Sequence, residues 1–293
     1  MKQRAILLIN PRARKGKKAL AKAREYLHDL GIVAKEEIIL NPQELSSIIE
    51  RYHQQCDLVI IGGGDGTLSS ALPGLLSTGL PLGILPLGTA NNLARTLAIP
   101  QSLFAACKVI ADGTTRKIDL GLVNGHYFLN VAGIGLSAQI NHRVTSAAKR
   151  RWGLIAYAAT ALEVVRQAPV FSAEITQSQT ETIQVQAAQL TVCNGRYYGS
   201  GLIIADDAAI DDARLDLYGF SFRHWWEIIP QLPSMMRGKH KIMPNVFWLQ
   251  GQEITIKTSI PYPLDADGEI VTSTPAKFQV VPKALCVFVP TNK

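Results

Sequence analysis

The sequence predicts an α/β N-terminal domain with a mainly parallel sheet, followed by a β-rich, sandwich-like C-terminal domain. Three observations carry this reading. Apolar runs alternate with helical periodicity over roughly the first 115 residues, the pattern of parallel strands joined by crossovers. That rhythm breaks near Lys117, where two apolar runs flank Asn124-Gly125, a hairpin signal. From Phe171 onward short strand-like runs dominate, which argues for antiparallel sheets.

In chain order, RAILLIN (4–10) reads as a strand and GKKALAKAREYLHDLG (16–31) as a helix stopped by Gly31. VAKEEIIL (33–40) is a second strand, PQELSSIIERYHQQ (42–55) a helix with Pro42 in its first turn, and DLVII (57–61) a third strand. TLSSALPGLL (67–76) is helical, LGILP (82–86) a strand and ANNLARTLA (90–98) a helix. KIDLGLV-NG-HYFLNVAG (117–133) is the hairpin, and two helices are expected at about 136–149 and 153–167. FSAEITQ, IQVQAAQLTVC, ARLDLYGF, VFWLQ, EITIKT, KFQVV and ALCVFV then read as strands, interrupted by one helix at 223–238.

A hydrophobic content of 47% with 18% charged residues describes a soluble globular chain. Cys56, Cys107, Cys193 and Cys286 lie far apart, so neither a zinc site nor a disulfide framework is indicated. No secretory leader is expected, and WGLIAYAATALEVV (152–165) is too short for a span and carries Glu163. A cytoplasmic protein is expected, with contact at the inner face of the membrane left open. The formal charge of +7 is local: residues 1–24 hold nine basic side chains and no acid. Such a run suits an anionic membrane surface or phosphate, or is a solvated face. Nucleic acid is not expected, since no recognition helix or stacking motif accompanies the charge.

GGGDGT (62–67) follows a buried-looking strand. Glycines between a strand and a helix present backbone N–H groups to phosphate, and a helix N-terminus favours negative charge. The loop fits neither the P-loop nor the dinucleotide fingerprint. Its Asp65 would repel phosphate unless it meets a cation, a hydroxyl or a proton. LPLGTANNLARTLAIP (85–100) repeats the strand–glycine–helix logic, and adjacent parallel strands would bring both loops to one sheet edge.

GGGDGT, PLGTANNLAR, the 117–135 hairpin, NGRYYGSGLIIADDAAIDDARLDL (194–217) and DADGE (265–269) occur in one order over almost the whole chain. In this the sequence resembles the diacylglycerol kinase catalytic family, especially its bacterial soluble lipid kinases. The resemblance implies an NAD kinase-like nucleotide-binding domain over 1–125, to which 282–293 returns, and a second domain over 126–281. It implies ATP as co-substrate, Mg²⁺ as cofactor and a lipid hydroxyl as acceptor, with roles in lipid metabolism and phospholipid biosynthesis. By motif matching, Gly63, Gly64, Asp65, Gly66, Thr67, Thr89 and Asn91 would bind nucleotide. Glu269 would be the catalytic base, assisted by Asp65, and Asp212 with the backbone carbonyls of Leu215 and Leu217 would hold Mg²⁺. A homodimer is left open.

The chain also departs from the family's pattern. Ser69-Ser70 stands where members commonly carry Asn-Glu, Asn92 where they carry Asp, Arg14 and Ala213 where they carry Gly. Leu40-Asn41 lacks the usual Thr, and Asp207 replaces a common Pro. A kinase of a soluble acceptor such as NAD shares the GGDGT loop, but GILPLGTANN favours the lipid branch. A catalytically silent nucleotide-binding regulator would also fit these losses. Aromatic and basic residues at Lys149–Trp152, Arg223–Trp226 and Arg237–Lys241 suit a membrane interface or a core beside solvated lysines.

Overall fold

The computed structural model describes residues 3–13, 15–39, 41–136, 170–177, 181–198, 201–204, 208–221, 226–227, 241 and 243–291. The helices expected over 136–149, 153–167 and 223–238 lie almost wholly outside the described residues, as do Arg14, Leu40 and Asp207.

The N-terminal unit runs β1 (Arg4–Ile9), α1 (Gly16–Asp29), β2 (Val33–Ile38), α2 (Leu45–Tyr52), β3 (Leu58–Gly63), α3 (Asp65–Thr78), β4 (Leu82–Pro86), α4 (Asn92–Thr96) and α5 (Leu103–Ala111). Strands β2, β1, β3 and β4 are parallel neighbours in that order. β3 and β4 are buried along their length, as expected of parallel strands covered on both faces, and β2 is a half-exposed edge. Gly31 (φ 85°) and Gly79 (φ 68°) follow α1 and α3 in the left-handed conformation that ends helices. Asn41 accepts from the Gln43 N–H (3.1 Å) and caps the turn that leads into α2. Helix α5, built from LFAACKVIA and buried along one face, was not anticipated.

β5 (Thr115–Val123) and β6 (His126–Phe128) form the Asn-Gly hairpin, with positive φ at both turn residues. The remaining strands are β7 (Val131–Gly135), β8 (Phe171–Gln177), β9 (Glu181–Ala187), β10 (Gln189–Cys193), β11 (Tyr197–Tyr198), β12 (Leu202–Ile203), β13 (Leu215–Phe220), β14 (Val246–Gly251), β15 (Glu253–Thr258), β16 (Pro263–Ala266), β17 (Glu269–Ser273) and β18 (Ala276–Phe288).

Three sequence boundaries need correction. HYFLNVAG is two strands, because the chain leaves one sheet at Leu129-Asn130 and joins another as β7. IQVQAAQLTVC likewise divides at Ala188, its half-exposed part pairing with β8 and its fully buried part with β7 and β13. KFQVV and ALCVFV are instead one strand, β18, whose register against β5 shifts between Val281 and Leu285. Pro282 is tolerated there because an irregularity needs no ladder donor.

β18 is the seam of the molecule. One flank pairs with β5; the other pairs with β15 at Ala276–Gln279 and with β4 at Val287. The parallel strands and the antiparallel β15, β8 and β9 therefore share one ten-stranded sheet. A six-stranded antiparallel sheet, β14-β13-β10-β7-β16-β17, packs against its antiparallel part. Phe128, Ile175, Leu190, Leu217, Ile254 and Phe278 fill the space between. A separate core, centred on β1, β3 and β4, lies under the helices. Among the described residues, no helix is long and apolar enough to cross a membrane.

Candidate active site

The ends of β3 and β4 bring the two glycine loops together. Gly63 O accepts from the N–H groups of Leu87 (2.9 Å) and Gly88 (3.1 Å). A Cβ on Gly88 would lie 2.5 Å from Gly64 Cα, and one on Gly64 would lie 3.2 Å from Gly88 Cα. These glycines permit backbone-to-backbone contact; neither has a positive φ. Helix α3 starts at once after Gly64 and directs its N-terminus to the sheet edge, where anions are favoured. Thr67 is buried, and its Oγ1 accepts from Asn10 Nδ2 (3.1 Å), which ties the loop after β1 to the cradle.

Asp65 has a role that motif reading missed. Its Oδ2 accepts from the Asn92 N–H and its Oδ1 from the Leu93 N–H, each at 3.0 Å. It thus caps α4 from the first turn of α3, satisfying donors that Asn91 leaves open. Asn91 (φ 52°) turns its side chain inward, accepting from Gly88 N–H (2.9 Å) and donating to Gln101 Oε1 (2.9 Å). It shapes the loop, while Thr89 beside it is exposed.

Glu269 is set by a two-residue hairpin. Asp267 (φ 48°) and Gly268 (φ 92°) join β16 to β17 in the geometry that Asp-Gly favours. The Asp267 carboxylate accepts from Leu129 N–H (2.7 Å), Asn130 N–H (2.9 Å) and Ser69 Oγ (2.7 Å). Burial pushes its pKa up against these hydrogen bonds, and the nearby Asp65 charge adds to the rise. Two residues on, Glu269 is exposed, and its Oε1 lies 3.9 Å from where a Cβ on Gly66 would stand. The structure therefore gathers Gly63–Thr67, Thr89, Asn91 and Glu269 around the start of α3. The Asp-Gly pair in DADGE was the sequence signal for the hairpin; nothing flagged Ser69 as its tether.

The expected metal segment is organised separately, by Asp119. This carboxylate is 1% exposed and accepts from Ala213 N–H and Lys283 N–H, both at 2.7 Å. Both donors have positive φ, so it holds two left-handed turns. An aspartate inside the apolar run KIDLGLV was the available signal. Asp212 has two enclosed oxygens without a hydrogen bond, and Arg214 Nε lies 2.8 Å away. Leu215 opens β13, and Leu217 is paired on both sides, with Val192 and Leu249. An enclosed carboxylate of this kind has the oxygen chemistry that suits a hard cation such as Mg²⁺, although Arg214 already supplies positive charge beside it. Among the described residues no three His, Cys, Asp or Glu cluster as a metal site, so carbonyls would complete the set.

Both units of the chain match known proteins. Residues 4–123 match the diacylglycerol kinase catalytic domain, and residues 130–289 the YegS C-terminal NAD kinase beta sandwich-like domain. An uncharacterized protein of Synechocystis sp. is 30% identical over 85% of this chain, which spans 60% of that protein. A diacylglycerol kinase of Bacillus subtilis is 28% identical, covering 82% of this chain and 80% of its own. The crystal structure of a "putative diacylglycerol kinase" from Bacillus anthracis superposes with a TM-score of 0.83 at 25% identity, covering 99% of this chain and 96% of its own. With both halves matched in order, the chain belongs to the diacylglycerol kinase catalytic family, a family of kinases.

Proposed function

We propose that the protein transfers the γ-phosphoryl group of ATP to the hydroxyl of a lipid, diacylglycerol or a related alcohol, at the inner face of the membrane. The observation that carries this is the exposed Glu269 carboxylate at the first turn of α3, against the glycine cradle. In this reading the N-terminus of α3, with the 63–67 and 88–89 loops, holds the phosphates. Glu269 takes the hydroxyl proton as the acceptor oxygen attacks the γ-phosphorus, and ADP leaves. Asp65 keeps the two loops in register by capping α4. Asp212, Leu215 and Leu217 would hold Mg²⁺, which when bound supplies positive charge to this segment. The same reading divides the chain near residue 125, with 282–293 completing the nucleotide-binding unit.

Labelled ATP offered with vesicles of diacylglycerol, phosphatidylglycerol, a long-chain base or a polyprenol tests the proposal. Transfer to one of these lipids is expected. A second reading, a silent nucleotide-binding regulator, is favoured by the Asp65 carboxylate already serving two N–H groups. ATP binding with no transfer to any lipid or to NAD would select it.

A further inference from the structure

We propose that Ser69 is a positioning residue for Glu269, acting through Asp267. Its consequence for catalysis rests on the kinase reading above; the contact itself does not. Ser69 lies one turn along α3 from Asp65, and its hydroxyl donates to Asp267 Oδ2 across 198 residues of sequence. This bond joins the helix that starts at the cradle to the hairpin that presents Glu269. The other ties of Asp267 lead elsewhere, to the backbone of Leu129, Asn130 and Val131 at the start of β7. Asp267 is also the first of two turn residues with positive φ, so its backbone conformation is linked to where its carboxylate is held.

The neighbouring Ser70 makes no such link, since its hydroxyl returns to Gly66 O within α3. Ser69 therefore sets how far Glu269 stands from the first turn of α3. Small displacements of a reacting group can cost about 10²-fold in rate. Serine here stands where the family commonly carries asparagine, and both can donate one hydrogen bond to a carboxylate.

The test compares Ser69→Ala and Ser69→Asn for kcat, KM for ATP, and amide hydrogen exchange at residues 129–131. Ser69→Ala is expected to lower kcat about tenfold with KM for ATP within about twofold, the sign of a lost transition-state alignment. Ser69→Asn should recover most of kcat. Exchange at 129–131 should rise roughly fivefold in Ser69→Ala, as one hydrogen bond to a charged, enclosed group is lost, and fall back in Ser69→Asn. Unchanged kcat in Ser69→Ala, or equal losses in both variants, overturns the positioning role. If the wild type phosphorylates no lipid, the kinase reading fails and exchange alone decides; unchanged protection in Ser69→Ala then overturns the contact.

Discussion

Asp267 and Glu269, two residues apart, hold opposite environments, and each makes a distinct prediction. The Asp267 pKa is raised, so between its ordinary value and the raised one the folded state binds more protons than the unfolded chain. Its contribution to stability is therefore greatest at low pH and is lost as pH rises through the folded value. Relative to Asp267→Asn, the wild type should lose stability as pH rises above the ordinary aspartate value of about 4, with the Asp65 charge reinforcing the trend. A flat difference in chemical-denaturation midpoints above that value would count against it. Glu269→Gln keeps shape but removes the basic site, so lipid phosphorylation should fall by about 10²–10⁴-fold with ATP affinity nearly unchanged. Full activity in that variant removes Glu269 from the role of base. The sequence showed Glu269 through its motif, whereas the capping by Asp65 and the tether at Ser69 depend on contacts between distant segments that no local pattern reports.

Among the elements, the two glycine loops separate tolerance of shape from tolerance of function. Gly66 lies within α3, where a Cβ meets nothing closer than Glu269 Oε1 at 3.9 Å. Gly66→Ala should hold or raise the melting temperature, since alanine is favoured over glycine in helices by up to about 1 kcal/mol. It should nevertheless lower turnover by entering the space before Glu269. Gly88→Ala should do the reverse of the first effect, lowering the melting temperature because its Cβ would stand 2.5 Å from Gly64 Cα. If both alanines behave alike in thermal unfolding, the loop-to-loop contact is not what the glycines serve. The parallel strands and their helices were legible because burial on both faces leaves continuous apolar runs, as in β3. The strand boundaries at Ala188 and Leu129-Asn130 were not, because changing sheets alters partners without altering local apolar content.

Across the whole molecule, Asp119 fastens the segment around Asp212 and the irregular turn of β18 to β5. Asp119→Ala would take the shared acceptor from two part-buried N–H groups and should cost about 1–3 kcal/mol, measured by denaturant unfolding. A cost below about 1 kcal/mol would show that water or rearrangement replaces it. The two-unit architecture was readable from the change of rhythm near Lys117, and the resemblance implied that 282–293 returns to the first unit. What no local pattern showed is that β18 brings β15, β8 and β9 into the same sheet through its pairing with β4, some two hundred residues earlier. That pairing has a consequence during synthesis. The ribosome releases β4 long before β18 exists, so the parallel sheet waits with an open edge while most of the second unit is made. The first unit cannot finish ahead of the second, and the nascent chain carries an apolar strand with one open edge for most of its elongation, the interval in which chaperone engagement or misassembly is decided.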